Sequence, residues 1–139
     1  MTTARDIMSH DAICVTSTET AAQAAQAMAA NDIGALPICD ARGGVTGMVT
    51  DRDLTVHVMA AGYDPDTYQV GDLPQSGEVV AAAPSDEADK VLERMAEHKV
   101  RRIPVVDDGG VSGLVSQADA ALHMPETTVG TAVAAVSEP

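Results

Sequence analysis

Two stretches of the chain place a hydroxyl residue three positions before an aspartate, at the end of a short apolar run. Gly47-Met48-Val49-Thr50-Asp51-Arg52-Asp53 is the first, and Gly113-Leu114-Val115-Ser116-Gln117-Ala118-Asp119 follows sixty-six positions later. Two kinds of chemistry suit this pattern. Thr50-x-x-Asp53 and Ser116-x-x-Asp119 resemble a capping box, in which the hydroxyl accepts from a first-turn N–H and the acid accepts from the cap's own N–H. A strand that turns into a helix also presents N–H groups lacking intrahelical partners, next to the positive end of the helix dipole. A phosphate could sit there, with the Thr50 or Ser116 hydroxyl as an added donor. The two roles are compatible.

The copies are unequal. Arg52 in the first could reach a phosphate, whereas Gln117-Ala118 supplies no cation in the second. The second copy has Arg101-Arg102 before its middle strand, where the first has Gly34-Ala35. Guanidinium groups suit bidentate contact with phosphate. The plain alternative is a solvated pair that balances Glu93, Glu97, Asp107 and Asp108. Thr16, late in the first strand, is a further candidate contact; Ala83 stands at the matching position. One good site and one degenerate site are therefore expected.

Other chemistries have less support. His10, His57, His98 and His123 are scattered, with no helical i, i+4 pair. They read as surface residues and no metal site is assigned, with a metal held across a dimer interface as the alternative; His98, beside Lys99 and the two arginines, could also assist phosphate binding. Cys14 and Cys39 fit no zinc spacing. They read as reduced core cysteines, or as a pair that could bond if their strands bring the Cα atoms within about 7 Å. No nucleophile–base pair or carboxylate dyad stands out, so no residue is assigned a catalytic role.

These residues must be positioned by regular elements. Ala12–Thr16 reads as a strand, and Ala21, Ala24, Ala25, Met28 and Ala29 as the apolar stripe of a helix. Ile33–Cys39 and Val45–Val49 read as a strand pair around the turn Asp40-Ala41-Arg42-Gly43-Gly44. A helix then runs from Thr50 to about Ala61, and Gly62 stops it. The plan restarts after Tyr63-Asp64-Pro65-Asp66-Thr67. Gly71-Asp72-Leu73-Pro74 answers Arg5-Asp6-Ile7-Met8, and Val79–Ala82 answers the first strand. Ala88, Val91, Leu92, Met95 and Ala96 repeat the helical stripe at an offset of sixty-seven. Val100–Asp107 answers Ile33–Asp40. A turn one residue shorter brings the offset to sixty-six at Gly113. The fold class is thus α/β (α+β), as two tandem β-α-β-β-α repeats. The repeats span 4–62 and 70–124, with a linker at 63–69 and a tail at 125–139. The first crossover should join parallel strands, and the hairpin should be antiparallel. Val129, Ala132, Val133 and Val136 fit a short amphipathic helix in the tail.

Composition bounds the rest. The chain has 139 residues, 45% of them hydrophobic and 1% aromatic, so its core must be aliphatic. One repeat alone would have a marginal core. Net charge is −13, with the acid excess spread over both halves. That field repels polyanions and argues against nucleic acid or anionic lipid as a partner. No apolar run approaches the roughly 20 residues of a membrane span, and the N-terminus has no secretory h-region. A soluble, cytoplasmic protein is expected.

The paired strands Ala35-Leu36-Pro37-Ile38 and Arg102-Ile103-Pro104-Val105, with the two motifs at Gly47 and Gly113, resemble a tandem pair of CBS domains, or Bateman module, over residues 4–124. Thr2–Met8, Asp32–Cys39, Thr50–Asp53 and both cysteine positions are most similar to the small stand-alone hypoxic response proteins of actinobacteria. The resemblance implies repeats related by a pseudo-two-fold axis. It also implies a regulatory, stress-related module rather than an enzyme, one that needs no cofactor. Its expected ligand is an adenosine-containing molecule such as AMP, ADP, ATP or S-adenosylmethionine, held between repeats. By the same resemblance Asp53 and Asp119 would bind ribose hydroxyls, a task suited to a carboxylate that accepts two hydrogen bonds. Thr16 would lie on the adenine side, and Cys14 and Cys39 could be linked. A homodimer through the CBS helices and an unidentified regulated protein are the implied partners. A non-catalytic scaffold dimer with degenerate ligand sites is the alternative.

Overall fold

The structure is a computed structural model that describes residues 1–10, 13–75, 79–108 and 110–123. The expected tail helix lies outside these residues. The chain divides into two compact units, one of residues Ile13–Val79 and one of Met1–Ala12 with Val80–Pro139.

In the unit of residues 13–79, strand β1 (Val15–Thr16) leads to helix α2 (Ala21–Asn31), strand β2 (Ala35–Cys39) and strand β3 (Val45–Thr50). Before β1, in the other unit, lies the short helix α1 (Ala4–Ile7). The sheet order is β1-β2-β3, with β1 parallel to β2 and β2 antiparallel to β3, as the sequence suggests. Thr20 caps α2 by accepting from the Gln23 N–H at 3.2 Å, while the Gln23 side chain accepts from the Thr20 N–H at 2.8 Å. Helix α2 buries Ala21, Ala24 and Met28, but Ala25 and Ala29 are exposed. Alanine is a strong helix former with little apolar area to hide, so its spacing marks the stripe's width poorly. After β3, a single α-turn, α3 (Asp51–Asp53), passes into a π-helical segment, Leu54–Met59, rather than the regular helix expected to Ala61. The core comprises Val15, Leu36, Ile38, Val49 and Val58 with the α2 face and, from the linker side, Val70 and Leu73.

The second unit repeats the plan. Helix α4 (Ala88–His98) precedes strands β4 (Arg102–Asp107) and β5 (Gly110–Ser116) and helix α5 (Gln117–His123). Strands β4 and β5 pair antiparallel. The expected strand Val79–Ala82 shrinks to one parallel bridge, Ala82 to Val105, the counterpart of Val15 to Ile38. The bridge is closed by Ala82 N–H to Pro104 O at 2.9 Å and Val106 N–H to Ala82 O at 2.8 Å. Glu87 stands at the N-cap of α4 without a side-chain capping bond, and the preceding Asp86 accepts from the Ala83 N–H at 2.9 Å.

Compact units and sequence repeats are offset at their lead-ins. Residues 3–9 pack in the unit built on the second repeat's strands: Ala4 N–H donates to Asp86 O and Arg5 N–H to Pro84 O. The matching lead-in at 70–75 packs in the first repeat's unit, where Val70 N–H donates to Glu19 O and Gly71 N–H to Ser17 O. Ala4, Ile7 and Met8 join the second unit's core, with Val91, Leu92, Met95, Ile103, Val105 and Val115. Each lead-in therefore completes the core of the other repeat.

This arrangement explains the glycine that opens each motif. A Cβ on Gly113 would stand 2.5 Å from Ser9 O, because Ser9 exchanges backbone hydrogen bonds with Leu114 at 2.8 and 3.2 Å. At Gly47 a Cβ would meet the Gln75 side chain at 2.9 Å, which itself bonds the Met48 N–H and carbonyl. The close approach is to main chain in one copy and to a movable side chain in the other.

Candidate functional site

Both motifs lie at a strand-to-helix junction, and both form the capping box. In the first, Thr50 N–H donates to Asp53 Oδ2 at 2.9 Å and Asp53 N–H to Thr50 Oγ1 at 3.1 Å. In the second, Ser116 N–H donates to Asp119 Oδ2 at 3.0 Å and Asp119 N–H to Ser116 Oγ at 3.1 Å. All four residues are half-buried. The box holds each carboxylate at a fixed place, while each carboxylate keeps lone-pair capacity for a further donor.

The free N–H groups expected at the first motif are in use. Asp51 N–H donates to Gly34 O at 3.0 Å, Arg52 N–H to Asp51 Oδ1 at 2.8 Å, and Asp53 N–H to Thr50. In the second motif Gln117 N–H donates to Arg101 O at 3.3 Å. Glutamine replaces the Asp51 carboxylate there, and the Ala118 N–H has no partner among the described residues.

The structure brings Arg101 and Arg102 to the second motif. Arg102 is the cross-strand partner of Ser116, as Ala35 is of Thr50. Both arginines are exposed, and neither forms an ion pair among the described residues. Arg52 is likewise exposed and unpaired beside Asp53. Arg94, close to these arginines in sequence, is committed elsewhere: its Nη1 donates to Ala81 O at 2.7 Å and to Asp86 at 3.3 Å. The Ala83 N–H first, and Arg94 second, hold the Asp86 carboxyl below the usual aspartate value.

Thr16 does not join Thr50. It pairs with Cys39 at one end of β2, whereas Thr50 pairs with Ala35 at the other. Four strand residues separate the two ends, roughly 13 Å. Thr16 is exposed, and its N–H donates to Glu19 Oε1 at 3.2 Å.

Two contributors escape the sequence patterns. Ser9 Oγ donates to Asp119 at 3.2 and 3.3 Å, across more than a hundred positions. Gln117 Nε2 is buried and has no hydrogen-bond partner among the described residues. No periodicity links residue 9 to 119, and only the residue-by-residue match of Gln117 with Asp51 marks that position as unusual.

Cys14 and Cys39 are free thiols, the first exposed and the second buried. Burial, with the Cys14 thiol as a close neighbour, pushes the Cys39 thiol up to about 12. Among the described residues no three His, Cys, Asp or Glu side chains are grouped to hold a metal ion.

A model of the CBS domain matches residues 4–60 and again residues 70–134. The chain belongs to the CBS domain family. It is 42% identical to hypoxic response protein 1 of Mycobacterium tuberculosis over 139 residues, all of this chain and 96% of that protein. The CBS domain-containing protein YhcV of Bacillus subtilis is 31% identical over 138 residues, covering 99% and 96%. The crystal structure of Hypoxic Response Protein I, with two coordinated zinc ions, superposes with a TM-score of 0.79 at 43% identity, covering 89% of this chain and 100% of that one. The CBS domain pair of protein MJ0100, in complex with 5-methylthioadenosine and S-adenosyl-L-methionine, gives a TM-score of 0.75 at 26% identity, covering 88% and 94%. A CBS pair is in general a regulatory, ligand-binding module, not a catalyst. Among the described residues no helix is long and apolar enough to cross a membrane.

Proposed function

We propose that this CBS pair senses an adenosine-containing nucleotide, such as AMP, ADP, ATP or S-adenosylmethionine, and passes its occupancy to a protein partner. The observation that carries this reading is the second motif: a fixed Asp119 carboxylate, with unpaired Arg102 across from Ser116 and Arg101 beside it. Asp119 accepts ribose hydroxyls while the guanidinium groups take phosphate. Asp53 and Arg52 form the smaller counterpart in the first motif, with Thr50 as its hydroxyl. The adenosine compounds bound by the MJ0100 pair support the ligand class. Binding acts through its unequal affinity for two conformations. Calorimetric titration of reduced and oxidised protein with AMP, ATP and S-adenosylmethionine tests the reading. Heat that saturates at one or two equivalents is expected, and no response to any of the three contradicts it.

The chain also acts as a homodimer in this reading. Val56, Met59 and Tyr63 are large apolar residues left 39%, 76% and 58% exposed on and just beyond the π-helical segment. A second copy of the chain is the occupant expected there.

A further inference from the structure

The two motifs differ most in the residue after the hydroxyl. Asp51 is exposed and turns its carboxylate onto its neighbour's N–H, at 2.8 Å from Arg52 N. That places a negative charge one residue from Thr50. Gln117 occupies the same place in the second motif, and its amide nitrogen is buried without an acceptor among the described residues. Buried donors without partners are rare in folded proteins because each forfeits its hydrogen bonds to water. This one lies one residue from Ser116, which faces Arg102 across the sheet, and its own N–H holds the Arg101 carbonyl.

We infer that Gln117 is a specificity-determining donor that directs the phosphoryl end of the ligand to the second motif. The inference deepens the nucleotide reading above and rests on it. The last torsion of a glutamine side chain is broad. The orphaned amide therefore turns toward an oxygen acceptor that arrives beside the two arginines. Binding supplies the hydrogen bond that Gln117 Nε2 does not make to the described residues. A phosphoryl oxygen suits this place, because Arg102 stands across the sheet from Ser116, Arg101 precedes it, and residue 117 brings no carboxylate. The first motif, with Asp51 there, repels the same group. Phosphate preference thus belongs to the second motif, although Arg52 gives the first its own cation.

The test compares AMP with adenosine, which shares its base and ribose but has no phosphate. Affinities for both are measured by calorimetry on wild type, Gln117→Met and Gln117→Glu, with Tm recorded for each. Gln117→Met keeps the length of the side chain and removes the donor. It is expected to weaken AMP roughly tenfold, leave adenosine unchanged, and leave Tm equal or higher, since no native bond is lost. Gln117→Glu is expected to weaken AMP further by placing a carboxylate against the phosphate, as Asp51 does in the first motif. Equal weakening of AMP and adenosine, or no change in their ratio in either variant, overturns the inference. Binding of neither compound by wild type overturns the nucleotide reading itself, and is seen before any variant is made.

Discussion

The hydroxyl-x-x-Asp pattern occurs a third time. Thr3-Ala4-Arg5-Asp6 repeats the spacing and even the arginine of Thr50-Asp51-Arg52-Asp53, and Thr3 N–H donates to Asp6 Oδ2 at 2.8 Å. The Thr3 hydrogen bonds hold the Asp6 carboxyl below the usual aspartate value. A capping box therefore does not by itself identify a ligand site; what distinguishes the second motif is the arginine pair across from it. That distinction was partly legible in the sequence, where Arg101-Arg102 stands against Gly34-Ala35. Ser9 on Asp119 was not, because the contact depends on a chain crossing that no local pattern encodes. The glycines offer a stability test. Gly113→Ala is expected to destabilise by about 1–3 kcal/mol, since the Ser9 main chain must shift. Gly47→Ala should cost less, as the Gln75 side chain can swing away. Urea melts of the two variants check the order, and equal losses would contradict it. Asp86 carries a pH dependence. Its carboxyl is lowered from 3.8 in the folded protein, so the stability it adds is complete above that pH and is lost as pH falls through the folded value. Asp86→Asn should accordingly lower Tm at pH 7 and have progressively less effect in acid. The cysteines respond in opposite ways. Exposed Cys14 should alkylate in native protein, while Cys39, buried and pushed up to about 12, should react only after unfolding. Two cysteines that react only after both unfolding and reduction would instead reveal the proposed link between them.

At the scale of elements, repetition was the most readable feature. The offset of sixty-seven between helical stripes reappears in the left-handed residues that end them, Asp32 at φ 52° and Lys99 at φ 53°. It reappears again in the parallel pairings Val15 to Ile38 and Ala82 to Val105. Element extent was less readable. The strand expected at Val79–Ala82 keeps one bridge, because backbone pairing is decided by the partner strand and not by β propensity alone. The π-helical turn at Leu54–Met59 leaves no clear sequence mark: Ala60 N–H reaches Thr55 O and Tyr63 N–H reaches Val58 O, each five residues back. The lead-ins were recognised as equivalent, but sequence similarity cannot say which core each one fills. Their exchange has a measurable consequence. Ile7 is 2% exposed in the second repeat's unit, and Leu73 is 4% exposed in the first's. Ile7→Ala is expected to cost about 2–5 kcal/mol, with the earliest loss of amide-exchange protection in β4 and β5. Leu73→Ala should instead expose β2 and β3 first. Loss in the same-repeat strands for both variants would contradict the exchange.

At the scale of the molecule, net charge of −13 makes the unpaired arginines a local exception in an acidic field. The nucleotide contact should therefore weaken with salt, by screening of its phosphate term. The proposed homodimer would use the exposed apolar residues Val56, Met59 and Tyr63. Met59→Glu should shift sedimentation from dimer to monomer without lowering Tm. A wild-type monomer would remove the proposed homodimer. The most direct measurement for the ligand itself is an AMP titration of three proteins: wild type, Asp6→Ala, and Asp53→Ala combined with Asp119→Ala. Both variants lose capping carboxylates of the same kind, so a capping role alone gives neither a selective effect on AMP. If Asp53 and Asp119 bind ribose, Asp6→Ala retains wild-type affinity while the double variant loses saturable binding at a temperature where it is still folded. Undiminished AMP binding by the folded double variant would contradict that assignment.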